Sequence, residues 1–190
     1  TGDDPMLLAE QDPTKVARLS KATAIAAKPA MGPIVGFEVN WNIVAYPGAA
    51  WASRVYPDIP VDEAQGKLMD AIYAASRLEG DDPVANWAEH TATLKERVNW
   101  LNAQNFSALH YTGPGTDLHL GLADGHIWKG GASPALNGVV CQPNIPTEEV
   151  FTSPHAYKVD GTVAATKPLA HQGSVIENIA VRFEAGRIVE

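Results

Sequence analysis

Residues 81–122, DDPVANWAEHTATLKERVNWLNAQNFSALHYTGPGTDLHLGL, pass from a helical to an extended pattern within one run of chain. Asp82 stands as an N-cap ahead of Pro83 at the first helical position, where a missing N–H leaves no bond unmade. Val84, Trp87, Leu94, Val98 and Leu101 follow on three- and four-residue steps, the stripe of a core-facing helix. Glu89, Lys95 and Glu96 fall off that stripe. The spacing predicts a helix over 83–103. Beyond Phe106 the pattern turns to short strands: Ala108 to Tyr111, Asp117 to Leu122, His126 to Trp128 and Gly138 to Cys141. Ala123-Asp124-Gly125 and Asp160-Gly161 read as hairpin turns, because glycine supplies the positive φ such turns need.

Upstream, a second helix is predicted over 61–78. Pro60 stands at its start, Asp62 and Glu63 suit the helix dipole in its first turn, and Leu68, Ile72 and Ala75 share a face. Residues 13–27 are rich in Ala, Lys and Arg and read as helical. Residues 33–57 hold short apolar runs (34–37 and 41–44) broken by Pro and Gly, and read as short strands. The fold class expected is therefore α/β in the first half, with short strands and two clear helices, followed by a mainly antiparallel β-rich half. A boundary falls near Asn105, giving domains over 1–104 and 105–190. Ile176 to Glu190 alternate around Ala185-Gly186 as a hairpin whose second strand reaches the last residue. Both ends of the chain read as cuts in a longer polypeptide.

Composition narrows the function classes. A chain of 190 residues with 45% hydrophobic content has enough apolar surface for a core of its own. Fourteen basic residues against 22 acidic ones give a net charge of −8, and basic runs interleaved with aromatics are absent. Nucleic acid and anionic membrane surfaces are excluded as expected partners, since both repel an acidic chain. No apolar run is long enough to span a bilayer. The one cysteine, Cys141, excludes an intrachain disulfide, and a reducing, cytoplasmic compartment is the expectation.

Motifs for phosphate loops, dinucleotide binding, His-Glu-x-x-His zinc sites, Cys-x-x-Cys pairs and nucleophile elbows are all missing. The histidines at 90, 110, 119, 126, 155 and 171 have no metal-site spacing with one another. His119 and His126 flank a predicted hairpin; they read as a facing pair or, more simply, as half-exposed strand histidines. Cys141 at the end of an apolar strand reads as a small buried hydrophobe rather than a nucleophile. The segment 144–155, NIPTEEVFTSPH, stands out because Glu148 and Glu149 open an apolar strand between two prolines. Neighbours on a strand point to opposite faces, so only one of the two can enter a given cavity. From the residues alone two readings stay open: a solvated glutamate pair at a strand start, or a carboxylate ligand at a strand end.

NIPTEEVFTSPH, with GPGTDLHLGLADGHIWKGG upstream and VDGTVAATKPLAHQGSVIENIAVRFEAGRIVE downstream, resembles the thermophilic metalloaminopeptidase family, of the aminopeptidase T, aminopeptidase S and PepS type. AYPGAAWASRVYPDIPVDEA, DDPVANWAEH and VNWLNAQNF match the same family in order, so the resemblance spans essentially the whole chain. It implies a larger two-domain α/β enzyme that removes N-terminal residues from peptides, as a cytoplasmic homodimer, with two divalent metal ions such as zinc or cobalt. The second glutamate of TEE is a metal ligand in that family and maps onto Glu149. The family's remaining ligands lie beyond Glu190, and an N-terminal portion is also missing. No residue of this chain is therefore expected to be catalytic, and the chain alone is expected to hold no catalytic metal tightly and to be inactive. The alternatives are a catalytically dead β-rich binding module of the same fold and, more remotely, a cysteine hydrolase using Cys141.

Overall fold

The computed structural model describes residues 4–190. In chain order the helices are α1 (Pro13–Val35), α2 (Ala49–Val55), α3 (Val61–Ala75) and α4 (Pro83–Gln104). The strands are β1 (Ile43–Val44), β2 (Ala108–Gly113), β3 (Thr116–Leu122), β4 (Lys129–Gly130), β5 (Ser133–Pro134), β6 (Val140–Cys141) and β7 (Asn144–Ile145). They continue with β8 (Val150–Phe151), β9 (Pro154–Ala164), β10 (Leu169–His171), β11 (Ser174–Ile176), β12 (Ala180–Glu184) and β13 (Arg187–Ile188). The chain divides into two compact units. The first holds the residues up to Thr91 with Gly131–Glu148 and Ala170–Val175; the second holds Ala92–Gly130, Glu149–Leu169 and Ile176–Glu190. No helix among the described residues is long and apolar enough to cross a membrane. The architecture is the expected one, helices early and a mainly antiparallel sheet late.

In the first unit, α1 starts under Asp12, whose carboxylate accepts the Thr14 N–H at 2.8 Å. It runs eight residues past the predicted stop at Ala27, through Pro29 and Pro33, and takes in Ile34 and Val35, where the sequence predicts strand. Each proline removes one backbone donor. Because they stand four apart, both gaps fall on one side of the helix and the other rows of bonds carry it on. None of its residues is buried. The predicted strands over 33–57 reduce to β1, which pairs in parallel with β7, while Ala49–Val55 is helical instead. Tertiary packing selects that helix. Ala52 is fully buried against Ala64 and Leu68 of α3, ringed by Trp51, Tyr56, Ile59 and Ile72, and its small side chain lets the two helices approach closely.

Helix α3 ends at Ala75, three residues short of the prediction, since Arg77 takes φ +57° and turns the chain out of the helix. Its inward face is Ala64, Leu68 and Ile72; Ala75 is exposed. Helix α4 follows the sequence closely. Asp82 Oδ1 accepts the Ala85 N–H at 2.9 Å, and Leu94 is fully buried. Trp87, Val98 and Leu101 are half-buried, while Val84 in the first turn is left exposed.

The second unit is built on a five-stranded antiparallel sheet in the order β13-β12-β9-β3-β2. Leu118 and Leu122 on β3 and Val159 on β9 are buried, with Leu109, Leu120, Val163, Val181 and Phe183 half-buried on the same alternation. The other face carries His110, Asp117, His119, Asp160 and Thr162, all exposed. Period-two alternation in paired register produces one apolar and one polar face. The closing hairpin forms, with Phe183 opposite Ile188 across Ala185-Gly186, and its second strand ends at Ile188 rather than at the last residue.

Two predicted hairpin turns are corrected. Asp160-Gly161 lies inside the long strand β9, where Gly161 has φ +115° and a Cβ would overlap the Asp117 carbonyl oxygen on β3. Glycine serves there for close backbone approach within a sheet, not for chain reversal. Ala123-Asp124-Gly125 does make a turn, with His126 N–H donating to Ala123 O at 3.1 Å. No hairpin follows it. His126 to Trp128 are not strand, because the Asn102 side chain of α4 clamps the Trp128 backbone, accepting its N–H at 2.8 Å and donating to its carbonyl at 3.1 Å. The next strand, β4, pairs with β8.

Candidate metal-ligand residues

The approach to Glu149 is fixed residue by residue. In the first unit, His90 Nε2 on α4 lies 2.6 Å from the Thr147 carbonyl oxygen, and its ring meets Trp87 edge-on. Arg77 grips Glu148 with both terminal nitrogens, one of them at 2.8 Å, and His90 Nε2 stands 3.8 Å from the same carboxylate. The Arg77 guanidinium is held above its ordinary pKa by that bond, partly offset by desolvation. Trp87 in turn donates from its indole N–H to the Ser76 carbonyl at 2.8 Å, tying α4 to the turn that carries Arg77. Glu148 is thus an anchoring carboxylate.

Glu149 is exposed and directly precedes β8, whose Val150 and Phe151 pair with Gly130 and Lys129 of β4. A Cβ on Gly130 would press on the Glu149 carbonyl and on Val150, so the glycine lets the two backbones close up. A catalytic zinc takes three protein ligands, and a two-metal centre takes more. Glu149 offers one carboxylate, and it belongs to no group of three or more potential ligands among the described residues. It fits one corner of a metal centre; these residues do not complete that centre.

The donors that do converge are elsewhere. Among the described residues, His110, Asp117 and His119 form the one group of three or more potential ligands, their donor atoms all within 4.8 Å of one another. His110 and His119 are direct cross-strand partners on β2 and β3, with rings stacked at 3.8 Å and 13°. His110 Nε2 lies 2.7 Å from Asp117 Oδ1. That bond is the main cause holding the Asp117 carboxyl below its ordinary pKa. Sequence spacing missed the group because 110 and 119 become neighbours only through the register that the Gly113-Pro114-Gly115 turn sets. His119 is exposed on its strand, as the simpler reading has it, and the alternative pairing with His126 does not form. Instead, His126 turns Nδ1 back to the Ala123 carbonyl at 2.9 Å and packs edge-on to Trp128. Cys141 is half-buried rather than fully buried, its thiol 3.6 Å from the Ser133 carbonyl.

Comparison with known proteins gives this geometry its context. The family model described as thermophilic metalloprotease (M29) matches residues 1–190. The chain is 48% identical over 190 residues to aminopeptidase T of Thermus thermophilus, covering 100% of this chain and 47% of that protein. It is 40% identical over 187 residues to aminopeptidase 2 of Geobacillus stearothermophilus, covering 98% of this chain and 45% of that protein. The solved structure of wild-type AmpT from Thermus thermophilus superposes with a TM-score of 0.90 at 47% identity, over 100% of this chain and 46% of that one. The chain therefore spans about half the length of the curated relatives it matches. With its model matched from the first residue to the last, the chain belongs to the thermophilic metalloprotease (M29) family.

Proposed function

We propose that this chain is part of a metal-dependent aminopeptidase that hydrolyses N-terminal residues from peptides, with Glu149 as one of its metal ligands. The observation that carries the reading is the similarity to aminopeptidase T along the entire chain, with TEE at 147–149 included in the matched span. The geometry supports it. Thr147 and Glu148 are held by His90 and Arg77, and Glu149 is the neighbouring carboxylate left exposed at the start of β8. Two divalent ions, zinc or cobalt, are the cofactors of this reading. When bound, such ions lower the pKa of a water and polarise a carbonyl. This chain supplies one oxygen donor, and the other ligands belong to the remainder of the longer protein. Residues 105–190 are then the start of the metal-binding domain and 1–104 part of an α/β domain. Action in the cytoplasm as a homodimer completes the reading.

The test is Glu149→Gln in the longer protein, with Glu148→Gln beside it. Metal content and hydrolysis of peptides with a free N-terminus are measured together. Losing a direct ligand should lower activity by more than the roughly 10- to 100-fold typical of an outer-shell change. Glu149→Gln is expected to lose metal and activity in parallel, whereas Glu148→Gln keeps most of its metal. Full metal content and activity in Glu149→Gln would remove the assignment.

A further inference from the structure

We propose that His110, Asp117 and His119 form a surface binding site for a borderline divalent transition metal of the zinc, copper(II) or nickel class. The inference goes beyond the aminopeptidase reading and stands whether or not Glu149 is a ligand, since the trio does not include it.

The geometry begins with register. His110 and His119 are directly opposite on β2 and β3, and Asp117 is two residues from His119 on the same strand, so alternation puts all three on one face. The hairpin is held by six register pairs from Ala108↔Gly121 to Gly113↔Thr116, a backbone ladder that uses none of these side chains. All three are exposed, so burial does not account for two imidazoles stacked at 3.8 Å with a carboxylate 2.7 Å from one of them. Tetrahedral zinc with bonds of about 2.0–2.1 Å sets its ligand atoms roughly 3.4 Å apart. The donor atoms here all lie within 4.8 Å of one another, with His110 Nε2 and Asp117 Oδ1 at 2.7 Å, within reach of that arrangement by rotation of exposed side chains.

The donor chemistry selects the class of ion. Two imidazoles with one carboxylate suit zinc, copper(II), nickel or cobalt, whereas calcium and magnesium take all-oxygen shells. Asp160, across from His119 on β9, adds negative charge to the same face while its Oδ1 accepts the Ala185 N–H at 2.8 Å. Arg182, on the next strand, is engaged by Glu184 and Glu190. With three protein ligands, one coordination position stays open to water or to an exogenous ligand.

The experiment is titration of the metal-free 190-residue chain with zinc chloride by calorimetry, beside His110→Gln, His119→Gln, Asp117→Asn and Glu149→Gln. One zinc per chain is expected, with Kd tighter than about 100 µM. Each histidine variant should weaken binding at least tenfold and Asp117→Asn by a smaller factor, with Glu149→Gln unchanged. On the unaltered chain, zinc should shift the NMR signals of the His110 and His119 rings, a readout that needs no variant to fold. Absence of binding, affinity unchanged in the two histidine variants, affinity lost in Glu149→Gln, or shifts confined to other histidines would each overturn the proposal.

Discussion

The Asp117 carboxyl is held below the ordinary carboxylate range chiefly by its hydrogen bond with His110, with an opposing desolvation effect and smaller electrostatic attraction from His110 and His119. A carboxyl lowered by folding binds its proton less readily in the folded chain than in the unfolded one. The contribution of the pair is therefore present above the unfolded carboxylate pKa and is lost as pH falls through the lowered folded value. Carbon-13 NMR titration of the Asp117 carboxyl should give a midpoint below that of an isolated aspartate. In His110→Ala the midpoint should return to the ordinary range, and salt should blunt the difference because the group is fully exposed. An unshifted midpoint in the parent chain would show that the bond is not populated in solution. The Arg77–Glu148 pair behaves differently. Both nitrogens engage one carboxylate that is 60% exposed, so its stabilising effect is small, of order 0–1 kcal/mol, and its main effect is to orient the residue before Glu149.

Helices α3 and α4 were legible because their signals are local. A proline or Asp cap, acids in the first turn and an apolar stripe act within one or two turns of chain. Helix α2 was not legible, since seven residues are too few for intrinsic stability and its existence rests on Ala52 meeting Ala64 and Leu68. Strand β9 is not legible at Gly161 for a related reason. Glycine marks both turns and close approaches, and only the neighbour on β3 distinguishes them. Gly161→Ala puts a Cβ into the Asp117 carbonyl at φ +115° and should cost at least about 3 kcal/mol in urea unfolding. A loss under about 1 kcal/mol would mean that the strand relaxes around it. At the centre of α4, Leu94→Ala opens a cavity at a fully buried position and should cost about 2–5 kcal/mol by the same measurement.

At the scale of the whole molecule the chain matches 47% of the length of aminopeptidase T, and Glu149 belongs to no group of three or more potential ligands among the described residues. The purified 190-residue chain, with longer contaminants excluded by intact mass, is expected to release no N-terminal residues from peptides even with added zinc or cobalt. Turnover by that chain would require a complete centre within it and would refute the division of ligands argued above. The resemblance carried by 144–155 and its flanking motifs was readable directly, and it led to the family that the full-length match establishes. The sequence by itself determined the net charge, the α-then-β order, α3, α4 and the final hairpin, because composition, caps, stripes and turns act on residues close in the chain. Tertiary structure alone decided that α2 is helical, that Gly161 sits inside a strand, that Glu148 is taken by Arg77, and that His110 and His119 stack. Each of these joins residues from separate elements, and strand register and packing, rather than spacing along the chain, set which side chains meet.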